Sequence, residues 1–377
     1  MSAYLDCNAT TPLEPRVGVM MRTFFDTEYG NAGSRTHEYG ARAKQALEDA
    51  RRAVADVVDA EADEVTFTSG ATESNNLAIL GLVAHGEKTG RRHLVASAIE
   101  HKAILEPLEY LRLKGFEVTL VAPTSGGWID PATIEAACRP DTLLVSVMHV
   151  NNETGVIQPL NSICERLAKH ETYLLVDAAQ GFGKDIAPLT NKRIDMISIS
   201  AHKIYGPKGV GALIARRRSY SRPPLQPLMH GGGQERGLRP GTLPVPLIVG
   251  LGEASRLAQA EHQERQKVCQ TFRRKLLAAL EPLNPSINGD SEHTMPHVLN
   301  VSIPGIDSEA AMVALKGIVA ISNGSACTSA TYKPSHVLQA MGLPLEKIQQ
   351  ALRFSWCHLT VELEWSSVSK TLEALQR

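Results

Sequence analysis

The chain has 377 residues, which is long enough for one large hydrophobic core and a second, smaller one. An apolar fraction of 43%, a charged fraction of 21% and a net charge of −1 are ordinary for a globular protein and predict no direct binding to nucleic acid or membranes. The sequence predicts neither a signal peptide nor a run of ~18 apolar residues that could span a membrane. The six scattered cysteines argue against a disulfide framework or a zinc ribbon, so a cytoplasmic protein without a metal site is expected.

Short apolar runs rich in β-branched residues alternate with longer helical patterns over the first part of the chain. The strands predicted from these runs are 65–67, 93–97, 118–121, 143–147, 173–176, 194–199 and 211–215. The helices predicted around them are 42–58, 73–86, 103–114, 131–137 and 160–170. This alternation predicts an α/β fold with a mostly parallel, seven-stranded sheet and helices on both of its faces. Ligands bind such sheets at the carboxyl ends of the strands.

The remainder of the chain has a different pattern. A long helix is predicted over 247–280 and is expected to link two domains. Short strands are predicted after it at 298–303, 319–322 and 353–356, together with further helices, as in a compact α+β unit. The predicted division is a large α/β domain over 13–255 and a small α+β domain formed by 1–12 and 256–377.

Lys203 closes the segment Ser-Ala-His-Lys, which directly follows the predicted strand 194–199, and Asp177 follows the preceding predicted strand. A lysine and a carboxylate at neighbouring strand ends have the geometry that a pyridoxal phosphate enzyme needs. The lysine forms a Schiff base with the cofactor aldehyde, and the carboxylate keeps the ring nitrogen protonated. The alternatives are a surface lysine and an aspartate that caps a helix.

A phosphate site is predicted at segment 69–73, which follows a predicted strand and opens a helix. Small residues there leave backbone N–H groups free to meet an anion, and the helix dipole adds to the attraction. Ala71 and Thr72 are the predicted donors, with Ser200 and His202 beside Lys203 as further candidates. The alternative is an ordinary strand-to-helix turn with a threonine cap.

Three more side chains are candidates for contacts with a cofactor ring. His101 follows the predicted strand 93–97, where a flat imidazole could stack on the ring and pass protons. Asn152 could donate to the ring oxygen or to the substrate, and Gln180 could reach the phenolic oxygen of the ring. The alternatives are a structural histidine and a turn asparagine.

The last third of the chain adds a candidate nucleophile and a candidate anion clamp. Cys327 lies among small, mostly polar residues, which favours an accessible loop over a core, and a nucleophilic thiol must be accessible and partly ionised. Arg353 could hold a substrate carboxylate through two hydrogen bonds. The alternatives are a buried small cysteine and a surface ion pair. The glycine-dense segment 230–242 indicates close approach of the backbone to a ligand or to another chain.

Taken together and in this order, these motifs resemble the cysteine desulfurases of the NifS/IscS type, within the class V aminotransferase family of fold-type I pyridoxal phosphate enzymes. The resemblance covers nearly the whole chain. The segments that carry it are 4–12, 69–76, 100–102, 151–155, 177–180, 200–203, 236–242, 324–329 and 353–355.

The resemblance implies a role for each matching residue. Lys203 would carry pyridoxal phosphate and remove the α-proton of L-cysteine, and the Cys327 thiolate would then take the sulfur as a persulfide while L-alanine leaves. The implied cofactor contacts are Asp177 to the ring nitrogen, His101 to the ring face, Asn152 and Gln180 to the ring oxygen, and Ala71, Thr72, Ser200 and His202 to the phosphate, with Thr242 reaching in from the other subunit of a homodimer. The implied contacts to the substrate carboxylate are Arg353 and Asn31.

The sequence departs from the family pattern in two places. Ala32 follows Asn31 where the family usually has proline, and Trp-Cys-His-Leu-Thr at 356–360 stands where housekeeping members more often have a Gly-Arg pair. The tail is where scaffold partners dock in iron–sulfur assembly members. The sulfur acceptor therefore stays open among an iron–sulfur scaffold, a tRNA thiolation pathway and the DNA phosphorothioation pathway served by DndA-like desulfurases. Selenocysteine lysis, transamination and a recruitment subunit with weak catalysis are alternative functions.

Overall fold

The computed structural model describes residues 2–324 and 334–376, so Cys327 lies outside the described residues. The strands of the described part are β1 (Ala3–Tyr4), β2 (Val65–Thr68), β3 (His93–Ser97), β4 (Glu117–Val121), β5 (Thr142–Ser146), β6 (Tyr173–Asp177), β7 (Met196–Ser200), β8 (Gly211–Ala215), β9 (Ser286–Ile287), β10 (Val298–Ser302), β11 (Val319–Ala320) and β12 (Ala351–Ser355). The helices are α1 (Pro15–Asp26), α2 (Glu38–Val57), α3 (Ala71–Gly81), α4 (Val83–Thr89), α5 (Lys102–Arg112), α6 (Pro131–Ala137), α7 (Leu160–Arg166), α8 (Val245–Leu280), α9 (Ser308–Ala314), α10 (His336–Ala340), α11 (Leu345–Gln349) and α12 (Trp365–Glu373).

Seven of the described strands form one sheet, in the order β2-β8-β7-β6-β5-β3-β4. Every strand runs parallel to the others except β8, which is antiparallel to both of its neighbours. Alternate residues point to opposite faces, as in β3, where Leu94 and Ala96 join one apolar cluster and Val95 joins the other. Burial on both faces explains why these strands read as nearly continuous apolar runs. The predicted α/β fold with a mostly parallel sheet is confirmed.

The two clusters on the faces of this sheet form a first core, and a separate apolar cluster, here called the second cluster, lies around the antiparallel sheet β12-β10-β9 and the short pair β1-β11. Trp356 and Phe272 pack together in the second cluster, with ring centroids 5.1 Å apart and ring planes tilted by 30°. Helix α8 packs in the first core and in the second cluster, since Leu257 belongs to the one and Leu276 to the other. The division into two domains at about residue 255 stays a prediction, although the first core and the second cluster are the kind of packing on which such a division rests.

The N-terminal segment packs with the C-terminal elements. Leu5 is fully buried in the second cluster, Asp6 forms a bridge with Ser355 at the end of β12, and the Cys7 N–H donates to the Ser355 carbonyl at 3.0 Å. The first residues of the chain therefore enter the interior beside β12, close to the carboxyl edge of the large sheet.

The described helices differ from the sequence predictions in several places. Helix α1 was not predicted, because only Val17 and Met21 of its residues are buried while several of its apolar side chains stay exposed, which blurs the helical pattern. The predicted helix 73–86 is two helices, α3 and α4, that meet at Leu82, and α3 begins earlier than predicted, directly after Gly70. The predicted helix 160–170 ends at Arg166. Within residues 2–324 and 334–376, no helix is both long and apolar enough to cross a membrane.

Candidate active site

A cavity of about 750 Å³ lies at the carboxyl edge of the large sheet. Its walls come from the residues that follow or end β2, β3, β5, β6 and β7, which is where a mostly parallel sheet binds its ligands. The predicted site residues that line it are Ala71, Thr72, His101, Asn152, Asp177, Gln180, Ser200, His202, Lys203 and Arg353. The structure thus brings together side chains that are up to 282 positions apart in the sequence (from Ala71 to Arg353).

Lys203 stands at the end of a short 3₁₀ turn, Ala201–Lys203, that directly continues β7. Its Nζ atom donates to the backbone carbonyls of Asn8 and Ala9, the latter at 2.8 Å. Burial lowers the pKa of Lys203 from 10.5 to about 7, and the positive charges of Lys184 and Arg353 contribute in the same direction. A lysine with such a pKa is largely unprotonated at slightly alkaline pH, which is the form that can attack a carbonyl or accept a proton.

Asp177 is the last residue of β6 and is buried, with 5% of its surface exposed. One carboxylate oxygen accepts from the Asn75 amide at 2.8 Å, and the other accepts from the Ala179 N–H at 3.0 Å. Two fixed donors hold the carboxylate in one orientation at the cavity wall. The sequence did not point to Asn75 as a site residue. The available signal is its position on α3, one helical turn after Ala71 and Thr72, which places it on the same helix face.

The part of the cavity wall formed by the start of α3 and the end of β7 is suited to an anion. Gly70 has φ = 151°, and a side chain there would approach Ser200 Oγ to 3.3 Å, so the β2–α3 turn packs closely against the end of β7. Helix α3 therefore begins beside Ser200 with the N–H groups of its first turn at the cavity wall. Burial lowers the pKa of His202 to about 4, so its imidazole is neutral near pH 7. Its Nδ1 is 3.1 Å from Thr10 Oγ1.

The ring-contact candidates also lie at the wall. His101 caps α5, where its Nδ1 accepts from the Ala103 N–H at 3.1 Å, and loss of solvent around the ring lowers its pKa, with Asp177 opposing the effect. Gln180 donates through Nε2 to the Asn8 carbonyl at 2.9 Å. Its buried Oε1 atom has no hydrogen-bond partner among the described residues, so one polar group of Gln180 remains for a ligand. Asn152 lines the same wall.

Arg353 lies in β12 and is 5% exposed, so the alternative of a surface ion pair is wrong. Its Nη2 donates to Asp6 Oδ1 at 2.7 Å and its Nη1 donates to the Asn152 carbonyl at 3.0 Å, while its Nε has no partner among the described residues. Asp6 and Asn8 of the N-terminal segment were not predicted as site residues, yet both line the cavity. The only signal for them was the resemblance of segment 4–12.

The structure does not bring every candidate to this cavity. Asn31 and Thr242 instead line a second cavity of about 460 Å³. The side chain of Asn31 accepts from the Gly33 N–H at 2.8 Å. Within one chain, therefore, neither residue reaches Lys203, and their predicted roles stay predictions. The prediction for Cys327 falls outside the described residues.

Comparisons with known proteins agree with this fold and cavity. The class-V aminotransferase family matches residues 3–364. Cysteine desulfurase IscS of Vibrio cholerae is 46% identical over 364 residues, which cover 96% of this chain and 89% of that protein. The crystal structure of DndA from Streptomyces lividans is 54% identical, with a TM-score of 0.83, and covers 93% of this chain and 98% of that one. A NifS-like protein is 38% identical, with a TM-score of 0.90, and covers 100% and 98%.

A lysine-bearing cavity at the carboxyl edge of a mostly parallel sheet, in a chain that matches the class-V aminotransferases, is the arrangement of a fold-type I pyridoxal phosphate enzyme. The chain belongs to the class-V aminotransferase family, and the predicted family resemblance is confirmed. Members of this family and the cysteine desulfurases depend on pyridoxal phosphate. The residues of the cavity fit such a group, because an amine, a fixed carboxylate, an anion cradle and the unpaired Oε1 of Gln180 share one space.

Proposed function

We propose that this chain removes sulfur from L-cysteine in the large cavity, with Lys203 moving the α-proton and Cys327 receiving the sulfur. The assignment as a cysteine desulfurase rests on the 45–46% identity to IscS proteins over nearly the whole chain. The single observation that carries the residue roles is the joint position of the Lys203 amine, the Asp177 carboxylate and the Arg353 guanidinium around one cavity.

In this proposal, the wall residues hold pyridoxal phosphate. Its phosphate would lie at the start of α3, near Ala71, Thr72, Ser200 and His202, where backbone N–H groups, hydroxyls and a neutral imidazole can donate. The Asp177 carboxylate would keep the ring nitrogen protonated. When bound, the cofactor supplies an electron sink for charge that develops at the substrate α-carbon.

His101, Asn152 and Gln180 would fix the cofactor ring. The His101 side chain accepts a hydrogen bond from its own helix, which sets the direction of the imidazole toward the cavity. Gln180 and Asn152 are both linked to Asn8, since the Gln180 amide donates to the Asn8 carbonyl and the Asn8 amide donates to the Asn152 carbonyl at 2.9 Å. The first contact fixes the Gln180 side chain and the second fixes the Asn152 backbone, so both residues would be held beside the cofactor ring.

Arg353 would bind the substrate carboxylate. Because one of its nitrogen atoms already donates to Asp6, the substrate would share the guanidinium with that carboxylate or take its place. The lowered pKa of Lys203 leaves its amine free to accept the α-proton. The Cys327 thiolate would then attack the substrate sulfur. An S–S bond forms, the C–S bond breaks with its electron pair left on the carbon skeleton, and that skeleton takes up protons and leaves as L-alanine.

The experiment that tests this proposal is turnover of L-cysteine by the purified protein reconstituted with pyridoxal phosphate and supplied with dithiothreitol. We expect L-alanine and sulfide in equal amounts. Alanine from L-selenocysteine alone would identify a selenocysteine lyase, and amino transfer to a 2-oxo acid would identify an aminotransferase. Protein that binds no pyridoxal phosphate would favour a recruitment subunit with weak catalysis. Each of these three results contradicts the proposal.

A homodimer is the second part of the proposal. Thr242 and Asn31 lie apart from Lys203 in the same chain, as expected if the glycine-dense segment 230–242 completes the phosphate site of a neighbouring subunit. That segment is anchored to the rest of its own subunit, because Glu235 is buried and its carboxylate accepts from the Arg51 guanidinium at 2.7 and 2.8 Å.

Mixed dimers test whether Thr242 acts between subunits. At limiting pyridoxal phosphate, the Thr242→Ala variant should bind the cofactor more weakly, by about tenfold for the loss of one hydrogen bond to a charged group, and the Lys203→Ala variant should be inactive. Co-expression of the two chains with different tags should restore activity, because one site of each mixed dimer then has both intact residues. Activity that stays at the level of the separate variants would argue against a shared site.

We further propose that a protein accepts the sulfur in a reducing cytoplasm, where the cysteines of the described residues stay as free thiols. The identity of 54% to DndA favours an acceptor in DNA phosphorothioation, and the identity of 45–46% to IscS favours an iron–sulfur scaffold. Co-purification from the native host followed by mass spectrometry separates these acceptors. Recovery of neither class would count against both.

A further inference from the structure

Glu153 directly follows Asn152 of the cavity wall, and its side chain is buried, with 3% of the residue exposed. Its Oε2 atom accepts from the Ser335 hydroxyl at 2.5 Å. The same atom lies against Gly324, where a side-chain carbon would approach it to 3.3 Å. Gly324 is the last described residue before the sequence that contains Cys327, and Ser335 is the second described residue after it. One buried carboxyl group is therefore hydrogen-bonded to one flank of that sequence and lies beside the other.

Other hydrogen bonds also hold these two flanks in place. The Gly324 N–H donates to Ser322 Oγ at 3.0 Å, and Ser322 exchanges two backbone hydrogen bonds with Arg353, at 2.6 and 3.2 Å. On the other side, Ser335 caps α10 by accepting from the Leu338 N–H at 3.1 Å. The Gly324 flank is thus tied to β12, which carries Arg353, and the Ser335 flank is fixed as the first turn of α10.

The backbone of Glu153 is held as firmly as its side chain. Its N–H donates to Asn151 Oδ1 at 2.9 Å, and its carbonyl accepts from the Asn300 amide at 3.1 Å. Glu153 is thereby a fixed point to which the flanks of the Cys327 sequence can be anchored.

Burial of the Glu153 carboxyl group lowers the stability of the fold. Among the described residues its carboxyl group forms no ion pair, although the charges of Arg353 and Lys102 act on it from farther away, and burial raises its pKa to about 7. A buried acid without a paired cation destabilises a protein, and such groups are concentrated at functional sites. Packing alone would be served as well by an apolar side chain of similar size.

We infer that Glu153 is a positioning residue for sulfur transfer, which fixes the two flanks of the Cys327 sequence relative to the cavity. This inference rests on the proposed function. Under this inference, removal of the α-proton by Lys203 does not involve Glu153. The approach of the Cys327 thiol to the substrate sulfur, in contrast, depends on Glu153.

Three variants test this inference in the reconstituted enzyme. Glu153→Ala removes the hydrogen bond to Ser335 and the carboxyl group beside Gly324, Ser335→Ala removes the hydrogen bond alone, and Glu153→Gln keeps an oxygen that accepts from Ser335. Two rates are compared: alanine formation from L-cysteine, and exchange of the α-proton of L-alanine in D₂O, which requires Lys203 and the cofactor but no thiol. Glu64→Ala is the matched control, because Glu64 is also a buried glutamate and lines a different cavity.

We expect Glu153→Ala to slow alanine formation at least ~10-fold, since small misplacements of a reacting group have effects of this size or larger. Ser335→Ala should have a smaller effect, Glu153→Gln should restore most of the rate, and proton exchange should change less than about twofold in all three. In the Glu64→Ala control, any change should affect alanine formation and α-proton exchange to the same extent.

Equal slowing of exchange and alanine formation in the glutamine and Ser335 variants would overturn the inference in favour of a purely structural role. Unchanged alanine formation in Glu153→Ala would overturn it as well. If Glu153→Ala does not fold, the inference is judged by the rates of alanine formation and α-proton exchange in Glu153→Gln and Ser335→Ala. Wild-type protein that exchanges the proton but makes no alanine would instead overturn the proposed function, and this inference with it.

Discussion

Replacing Cys327 with serine should reduce alanine formation from L-cysteine by at least ~10³-fold while leaving pyridoxal phosphate bound. A serine hydroxyl is not appreciably ionised at neutral pH and cannot form the S–S bond that accepts the sulfur. Alanine is measured by amino-acid analysis in a single turnover, and the bound cofactor is measured by its visible absorbance. Exchange of the α-proton of L-alanine in D₂O should stay within about twofold of the wild-type rate, because that reaction requires no thiol.

Cys138→Ser is the matched control for this experiment. Cys138 is a partly exposed free thiol that does not line the cavity, and burial raises its pKa to about 11, so it is a poor nucleophile. The control should form alanine at the wild-type rate. Undiminished alanine formation by Cys327→Ser would remove Cys327 from the mechanism.

Replacing Lys203 with alanine should abolish both alanine formation and α-proton exchange, each by at least ~10³-fold, because general acid–base catalysis contributes 10²–10⁴ and the amine has no substitute. At pH 8, a lysine with a pKa of about 7 is mostly unprotonated, whereas the ordinary value of 10.5 would leave under ~1% in that form. The variant should therefore lose a group that is already in the reactive state at working pH.

Two further measurements make the assignment of Lys203 specific. Added methylamine should restore part of the α-proton exchange in Lys203→Ala, since a small amine can occupy the space of the missing Nζ. Lys192→Ala, which removes an exposed lysine, should leave both rates unchanged. Exchange at the wild-type rate in Lys203→Ala without added amine would show that another group moves the proton.

The positions of Lys203 and Asp177 were predictable because each depends only on the strand that directly precedes it in the sequence. Lys203 and Asp177 each follow an apolar run, and neighbouring parallel strands bring their carboxyl ends to one edge, so the two residues had to lie close together. The same rule placed His101, Asn152 and Ser200 at the wall. A helix that opens near residue 70 with free N–H groups was predictable from the small residues there. Its first residue was set by Gly70, whose φ of 151° allows the helix to begin beside Ser200.

The remainder of the site depends on contacts that no local pattern encodes. Asp6 and Arg353 are 347 positions apart, and their pairing follows from the packing of the N-terminal segment against β12. Asn75 reaches Asp177 across 102 positions through the packing of α3 on the sheet. The placement of Asn31 away from Lys203 was equally invisible, and for Thr242 only the family resemblance indicated it, because a linear pattern does not tell whether a residue serves its own subunit or a neighbour.

The partly buried pairing of Asp6 with Arg353 also sets an order of events during biosynthesis. Asp6 is synthesised 347 positions before the arginine, and Ser355, to which the Asn8 N–H donates at 2.9 Å, is added just after the arginine. At ~5–20 residues per second, the first residues wait roughly 20 to 70 s for these partners. The cofactor pocket is therefore closed only after β12 has been synthesised, and a nascent chain that stalls before β12 lacks one of its walls.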